Sequence, residues 1–138
     1  MSRQFSLRLP VRFGDCDPAG FVYYPVLFHY FHVGMEEFFA QRCGMKYAAL
    51  MAEHRLGFPT VKVQTEFPAP IVYGDEIDLT VAVAAVGNSS VTFDYRIVRV
   101  RDEAECARST QVHVCMNLDT RRAVPIPESL RTAFAAGD

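Results

Sequence analysis

Two carboxylates, Asp15 and Asp17, flank Cys16 in the stretch FGDCDPAGFVYYP (residues 13–25), directly before a long apolar run. Pro18 and Gly20 interrupt regular structure just after them, which puts the acids on a turn. Pro25 suits the first position of a helix, where its missing N–H is one the helix would leave unpaired anyway. Free N–H groups and the dipole at a helix start favour negative charge. A carboxylate held there has the parts for acyl transfer. The acid attacks an acyl carbon or activates water, and a backbone N–H such as that of Tyr24 receives the developing oxyanion. A plain acidic turn, with Asp15 and Asp17 accepting local N–H groups, explains the same residues. Local chemistry leaves both readings open and does not choose between the two acids.

Other reactive side chains carry less. A thiol between two acids is a poor nucleophile because adjacent negative charge disfavours the thiolate, so Cys16 reads as a small packed residue. His29, His32 and Glu36 recur at i, i+3 and i+7 on an otherwise apolar helix. That stripe has three readings: a metal site of two histidines and a carboxylate, a satisfied stripe at a subunit interface, or a face with His32 against the substrate. His113, on a strand, reads as structural. The GxSxG, GxxxxGK[ST] and GxGxxG patterns are all missing, so serine-hydrolase, nucleotide-hydrolase and dinucleotide-binding readings lack their signatures.

The elements that must position these groups follow from periodicity. Phe5, Leu7, Leu9, Val11 and Phe13 alternate with polar residues, as in a half-buried strand. Residues 26–42 read as a helix ending at Gly44, a left-handed cap. Its apolar residues cover most of the circumference, so it is expected to be buried on most sides. Residues 47–54 add a short helix. Strand patterns then take over at 61–67, 76–86, 91–101 and 106–118, and residues 127–134 close with a helical turn. Gly87-Asn88-Ser89-Ser90 joins the clearest hairpin, and the phase change from Ile97 to Val98 and Val100 suggests a bulge. Segregated helices and strands indicate α+β.

Composition sets the frame. The 138 residues suit one domain with its own core, and with 50% hydrophobic and 22% charged residues the chain reads as globular. A net charge of -2 without basic runs argues against nucleic-acid or membrane-surface binding. No CxxC spacing, signal-like segment or transmembrane-length apolar run is present, which suggests reduced thiols and a cytoplasmic protein.

Residues 13–25 closely resemble the active-site segment of the 4-hydroxybenzoyl-CoA thioesterase family, within the hot-dog fold superfamily. The likeness continues through Arg42-Cys43-Gly44, the FPTV run at 58–61, YGDEIDL at 73–79 and VPIP at 124–127. It implies a curved antiparallel β-sheet wrapped around a long central α-helix, as a single domain over 1–138. The implied activity is hydrolysis of an aromatic, hydroxybenzoyl-like acyl-CoA to free acid and CoA. In that pattern Asp17 is the catalytic carboxylate, nucleophile or general base, and the Tyr24 N–H polarises the thioester carbonyl. Gly20 lets backbone approach the substrate, and Asp15 supports the loop. Tyr23, Pro25, His32, Phe58, Ser89 and Ser90 are the other expected substrate contacts.

Tyr24 stands where the related Tol–Pal-associated thioesterases have histidine, which favours the aromatic branch. The chain departs from the 4-hydroxybenzoyl pattern at two places. His32 replaces an aspartate near the ring hydroxyl, and Asn88-Ser89-Ser90 lacks the basic cluster that holds CoA phosphates. Lys62, Arg99, Arg121 and Arg122 are alternative nucleotide contacts. The resemblance implies no metal and no cofactor, coenzyme A being part of the substrate. It further implies a homo-oligomer, at least a dimer and by family pattern a tetramer, with sites at subunit interfaces. Rival readings are a broad aliphatic acyl-CoA or acyl-carrier-protein thioesterase, and a non-catalytic acyl-CoA-binding protein.

Overall fold

The computed structural model describes residues 4–136. The alternating N-terminal segment forms strand β1 (Gln4–Pro10), half-buried at every second residue. The alternation stops sooner than the sequence suggests. Val11 is buried, but the chain then leaves the sheet through a 3₁₀ turn (Phe13–Asp15), and Phe13 is 79% exposed.

Helix α1 (Tyr24–Arg42) carries Pro25 in its first turn and stops at Gly44, whose φ of 68° suits a residue without Cβ. Its buried residues, among them Leu27, Phe31, Met35 and Phe38, form one stripe, while His29, His32 and Glu36 face outward. The expectation of burial on most sides is therefore corrected. Val26, Phe28 and Val33 are only half-buried, because the sheet covers a single face of the helix. Helix α2 (Tyr47–His54) follows, with the short strand β2 (Leu56–Gly57) after it.

Strands β3 (Thr60–Glu66), β4 (Glu76–Val86), β5 (Ser90–Arg99) and β6 (Ala104–Val114) join β1 in an antiparallel sheet of order β1-β4-β5-β6-β3. The β5–β6 register slips between Ile97 and Val98, where the apolar pattern changes phase. Strand β7 (Met116–Asn117) lies between β2 and β8 (Arg122–Ala123) in a second, small sheet, and helix α3 (Glu128–Ala135) closes the described chain.

The core lies between α1 and the inner sheet face. Ile77, Leu79 and Val81 of β4 and Val91, Phe93, Tyr95 and Ile97 of β5 are all at most 2% exposed. Gly34 allows the close approach of helix to sheet. A Cβ there would lie 2.6 Å from Leu79 Cδ2 and 2.9 Å from Val81 Cγ2. Phe134 of α3 plugs the end of this core against Phe38, Phe39, Phe58 and Phe93. The α+β arrangement, one antiparallel sheet packed around a long helix, is the one expected from the sequence. β3 ends the sheet as an edge strand with Val61 and Val63 exposed at 60% and 44%. Among the described residues no helix is long and apolar enough to cross a membrane.

Candidate active site

The acidic loop is shaped by its own backbone. Gly20 N–H donates to the Asp17 carbonyl at 2.9 Å, and Asp17 N–H to the Phe21 carbonyl at 3.0 Å. Gly20 adopts a φ of 98°, which explains a glycine at this corner. The loop is pinned to the rest of the fold where Val22 N–H donates to the Ile71 carbonyl at 2.8 Å.

The two acids are used differently. Asp15 Oδ2 accepts from the Arg12 N–H at 3.0 Å and from the Tyr30 hydroxyl at 2.7 Å, while its carbonyl accepts from Tyr23 N–H at 3.0 Å. Asp17 Oδ1 accepts from Ala19 N–H at 2.9 Å, closing an Asx-turn, and among the described residues no donor reaches Oδ2. The acidic-turn reading is thus correct for both residues as local structure. Only Asp17 also faces a cleft.

That cleft, of about 400 Å³, is walled on one side by Asp17, Phe21, Tyr24 and Leu27 and on the other by residues 67–71. Tyr24 is the first residue of α1. Pro25 has no N–H, and Val26 N–H is taken by the Tyr23 carbonyl at 2.8 Å. Among the described residues the Tyr24 N–H has no backbone acceptor, as expected at a helix start. Asp17 and Tyr24 thus line one largely apolar space. Cys16 sits behind them, its thiol pushed up first by burial and then by Asp15 and Asp17, which disfavours a thiolate there.

Gly20, Tyr23 and Pro25 gather with Asp17 and Tyr24 around the start of α1. The remaining expected contacts lie elsewhere. His32 is two turns further along α1, its Nδ1 2.8 Å from Glu36 Oε2 and its ring edge-on to Tyr47 at 5.8 Å. Among the described residues no group of three His, Cys, Asp or Glu side chains is arranged to hold a metal ion. Ser89 and Ser90 form the β4–β5 hairpin tip, where the Ser89 carbonyl accepts from Cys115 N–H at 2.7 Å. Phe58 is corrected to a core residue. It is 1% exposed and packs against Phe39 and Phe134, so its ring offers this chain's cleft no surface. Arg99 is corrected as well, since its guanidinium is occupied by Asp102 and the Pro70 carbonyl and is not a free phosphate contact. Lys62, Arg121 and Arg122 are exposed.

Sequence reasoning missed two parts of the site. Tyr30 counted only as an apolar helix residue, although its hydroxyl holds Asp15. Phe67 closed the strand read at 61–67, and Ala69-Pro70 signalled a bend after it, but nothing in them signalled a wall of the Asp17 cleft.

Known proteins share the fold and part of the sequence. The chain is 27% identical over 122 residues to a 1,4-dihydroxy-2-naphthoyl-CoA hydrolase of Synechococcus elongatus, covering 88% of each chain. Its fold superposes on a crystal structure of a 1,4-dihydroxy-2-naphthoyl-CoA thioesterase from Synechocystis with a TM-score of 0.86, at 24% identity and 95% coverage of each chain. A 4-hydroxybenzoyl-CoA thioesterase from Pseudomonas sp. strain CBS-3 gives a TM-score of 0.85 at 23% identity, covering 95% of this chain and 99% of that one. The family profile described as "Thioesterase-like superfamily" matches residues 11–134, spanning the acidic loop, the helix and every strand after β1, and the chain belongs to that superfamily.

Proposed function

We propose that this chain hydrolyses CoA thioesters of aromatic acids. Membership of the thioesterase-like superfamily makes it a thioester hydrolase. The observation that carries the reading is that Asp17 and Tyr24, the first residue of α1, line one apolar cleft. The aromatic acyl class is supported by the similarity to dihydroxynaphthoyl-CoA and hydroxybenzoyl-CoA enzymes and by the Phe21, Phe67 and proline surfaces of the cleft.

In this reading the thioester oxygen accepts from Tyr24 N–H, and charge that develops on it meets the positive end of α1. Asp17 either attacks the carbonyl carbon, giving an anhydride that water then cleaves, or takes a proton from water as its oxygen bonds to that carbon. In both cases the C–S bond breaks, and the CoA sulfur leaves as thiolate and is protonated. Gly20, Tyr23 and Pro25 shape the entrance, and Asp15 supports the loop.

The reading includes a homodimer at least, extending to a tetramer. The edge strand β3, with Val61 and Val63 uncovered, supports it. His32, Ser89 and Ser90 would meet a substrate only across such an assembly. No cofactor is required, residues 1–138 act as one domain, and the four unpaired cysteines suit a reducing cytoplasm.

Thiol release from a panel of benzoyl-, 4-hydroxybenzoyl-, dihydroxynaphthoyl- and phenylacetyl-CoA, set against acetyl- to palmitoyl-CoA, tests the substrate class; preference for the aliphatic series would defeat it. Asp17→Asn should lower kcat by about 10²-fold or more with the fold intact by circular dichroism. Near-normal turnover by that variant would sink the mechanism.

A further inference from the structure

The wall that shares the cleft with Asp17 is anchored by Ile71 in the core, by Phe67 edge-on to Phe28 at 6.0 Å and by a weak Cys106 thiol contact to the Pro70 carbonyl at 3.8 Å, but few strong hydrogen bonds fix its backbone. Residues 67–71 belong to no helix or strand, and Pro68 and Pro70 have no N–H to donate. On the cleft side, the Ile71 carbonyl accepts from Val22 N–H. On the other side stands Arg99, at the end of β5. One of its terminal nitrogens, Nη1, donates to the Pro70 carbonyl. The other face of the guanidinium is held in a fork by Asp102, Nε to Oδ1 at 2.9 Å and Nη2 to Oδ2 at 2.8 Å. Ala104 N–H steadies that carboxylate at 3.3 Å. The Arg99 side chain is only 12% exposed, so water competes little for these bonds.

We propose, on the thioesterase reading above, that Arg99 is a positioning residue for acyl recognition: through the Pro70 carbonyl it fixes the wall that faces Asp17 and Tyr24. It touches no reacting atom. The next residues repeat the device. Asp75, 7% exposed, accepts from Val72 N–H at 3.0 Å and from Arg101 Nε at 2.7 Å, and so secures the far end of the same stretch. Lysine at 99 would not substitute, because a single ammonium lacks the planar fork that engages a carboxylate and a carbonyl at once. The consequence is selective. A substrate that fills the cleft presses on the wall, whereas a short acyl group does not reach it.

The test uses Arg99→Lys and Arg99→Met, with Asp102→Asn as a milder variant that frees the guanidinium without deleting it. For an aromatic thioester KM should rise about 5–10-fold, as for one lost hydrogen bond, with kcat changed less than about twofold. The constants for the shortest acyl-CoA the wild type hydrolyses should stay put. Hydrogen exchange of the Val22 amide, which donates into the wall, should quicken about tenfold while β4 and β5 amides keep their protection. Unchanged Val22 exchange, or a KM rise equal for all acyl sizes, overturns the proposal. If the wild type cleaves no thioester at all yet Val22 exchange quickens, the thioesterase reading fails and the role of Arg99 in holding the wall stands.

Discussion

The Tyr30 hydroxyl, in the second turn of α1, donates to Asp15 Oδ2 at 2.7 Å and ties the helix to the acidic loop. Asp15 also accepts from Arg12 N–H and, through its carbonyl, from Tyr23 N–H. Three separate pieces of chain therefore meet at one residue beside the start of the helix. Burial first, and then Asp15, raises the Tyr30 hydroxyl well above its ordinary range, which keeps it a donor at any working pH.

Tyr30→Phe removes that donor and leaves a carboxylate oxygen with one partner fewer. A loss of about 1.5–3 kcal/mol in stability is expected, as for a hydrogen bond to a charged group. Because the bond fixes the residue that holds Tyr23, turnover should fall by about tenfold as the Tyr24 N–H loses its aim. Urea titration and thiol-release kinetics on the same preparation check both.

Gly34→Ala places a methyl group into Leu79 and Val81, which are both fully buried. Overpacking of this kind costs about 1–3 kcal/mol. The denaturant midpoint should fall with an unchanged slope, and an unaltered midpoint would show that β4 yields without strain.

His113 sets an acid limit. It is 1% exposed, with Nε2 2.9 Å from the Tyr95 hydroxyl and Nδ1 3.0 Å from Thr60 Oγ1. Burial, with a smaller contribution from His32, pulls it from 6.5 down to about 4. As pH falls below 6.5 the unfolded chain takes up the proton and the folded chain does not, so stability declines until about pH 4 and this contribution then levels off. The decline should total roughly 3 kcal/mol. Asp75, Asp78 and Asp102 are held below the ordinary carboxylate value of 3.8, so their losses come at more acid pH. Thermal melts of wild type and His113→Gln between pH 7 and 4 separate the windows; the variant should show the flatter profile.

Dialysis against a chelator should leave thiol release unchanged. Activity lost to chelation and restored by a divalent ion would instead assign a metal to the His29, His32 and Glu36 stripe.

The main elements were legible because their periodicities are strong. α2 and β4 have the boundaries read from the sequence, and the phase change at Val98 marks a real register slip. The two-residue strands β2, β7 and β8 carry too little pattern to be seen. Phe13 was misread because apolar alternation cannot reveal that the chain has left the sheet. That Asp17 and Tyr24 line one cleft was legible because they share one continuous motif. Phe58 was misplaced because core rings and pocket rings look alike in sequence. Arg99 and Pro70 lie 29 residues apart, and only the fold shows that they meet.

The Asx-turn that holds Asp17 is closed by Ala19, two residues away. On the proposed mechanism the reactive acid is oriented by its own short segment, while residues 67–71 of the same cleft come from a different part of the chain. In evolutionary terms that reading makes the chemistry a cassette and the specificity a replaceable insert. Drift in residues 67–71 can recut the acyl slot again and again without reopening the question of how the thioester is cleaved.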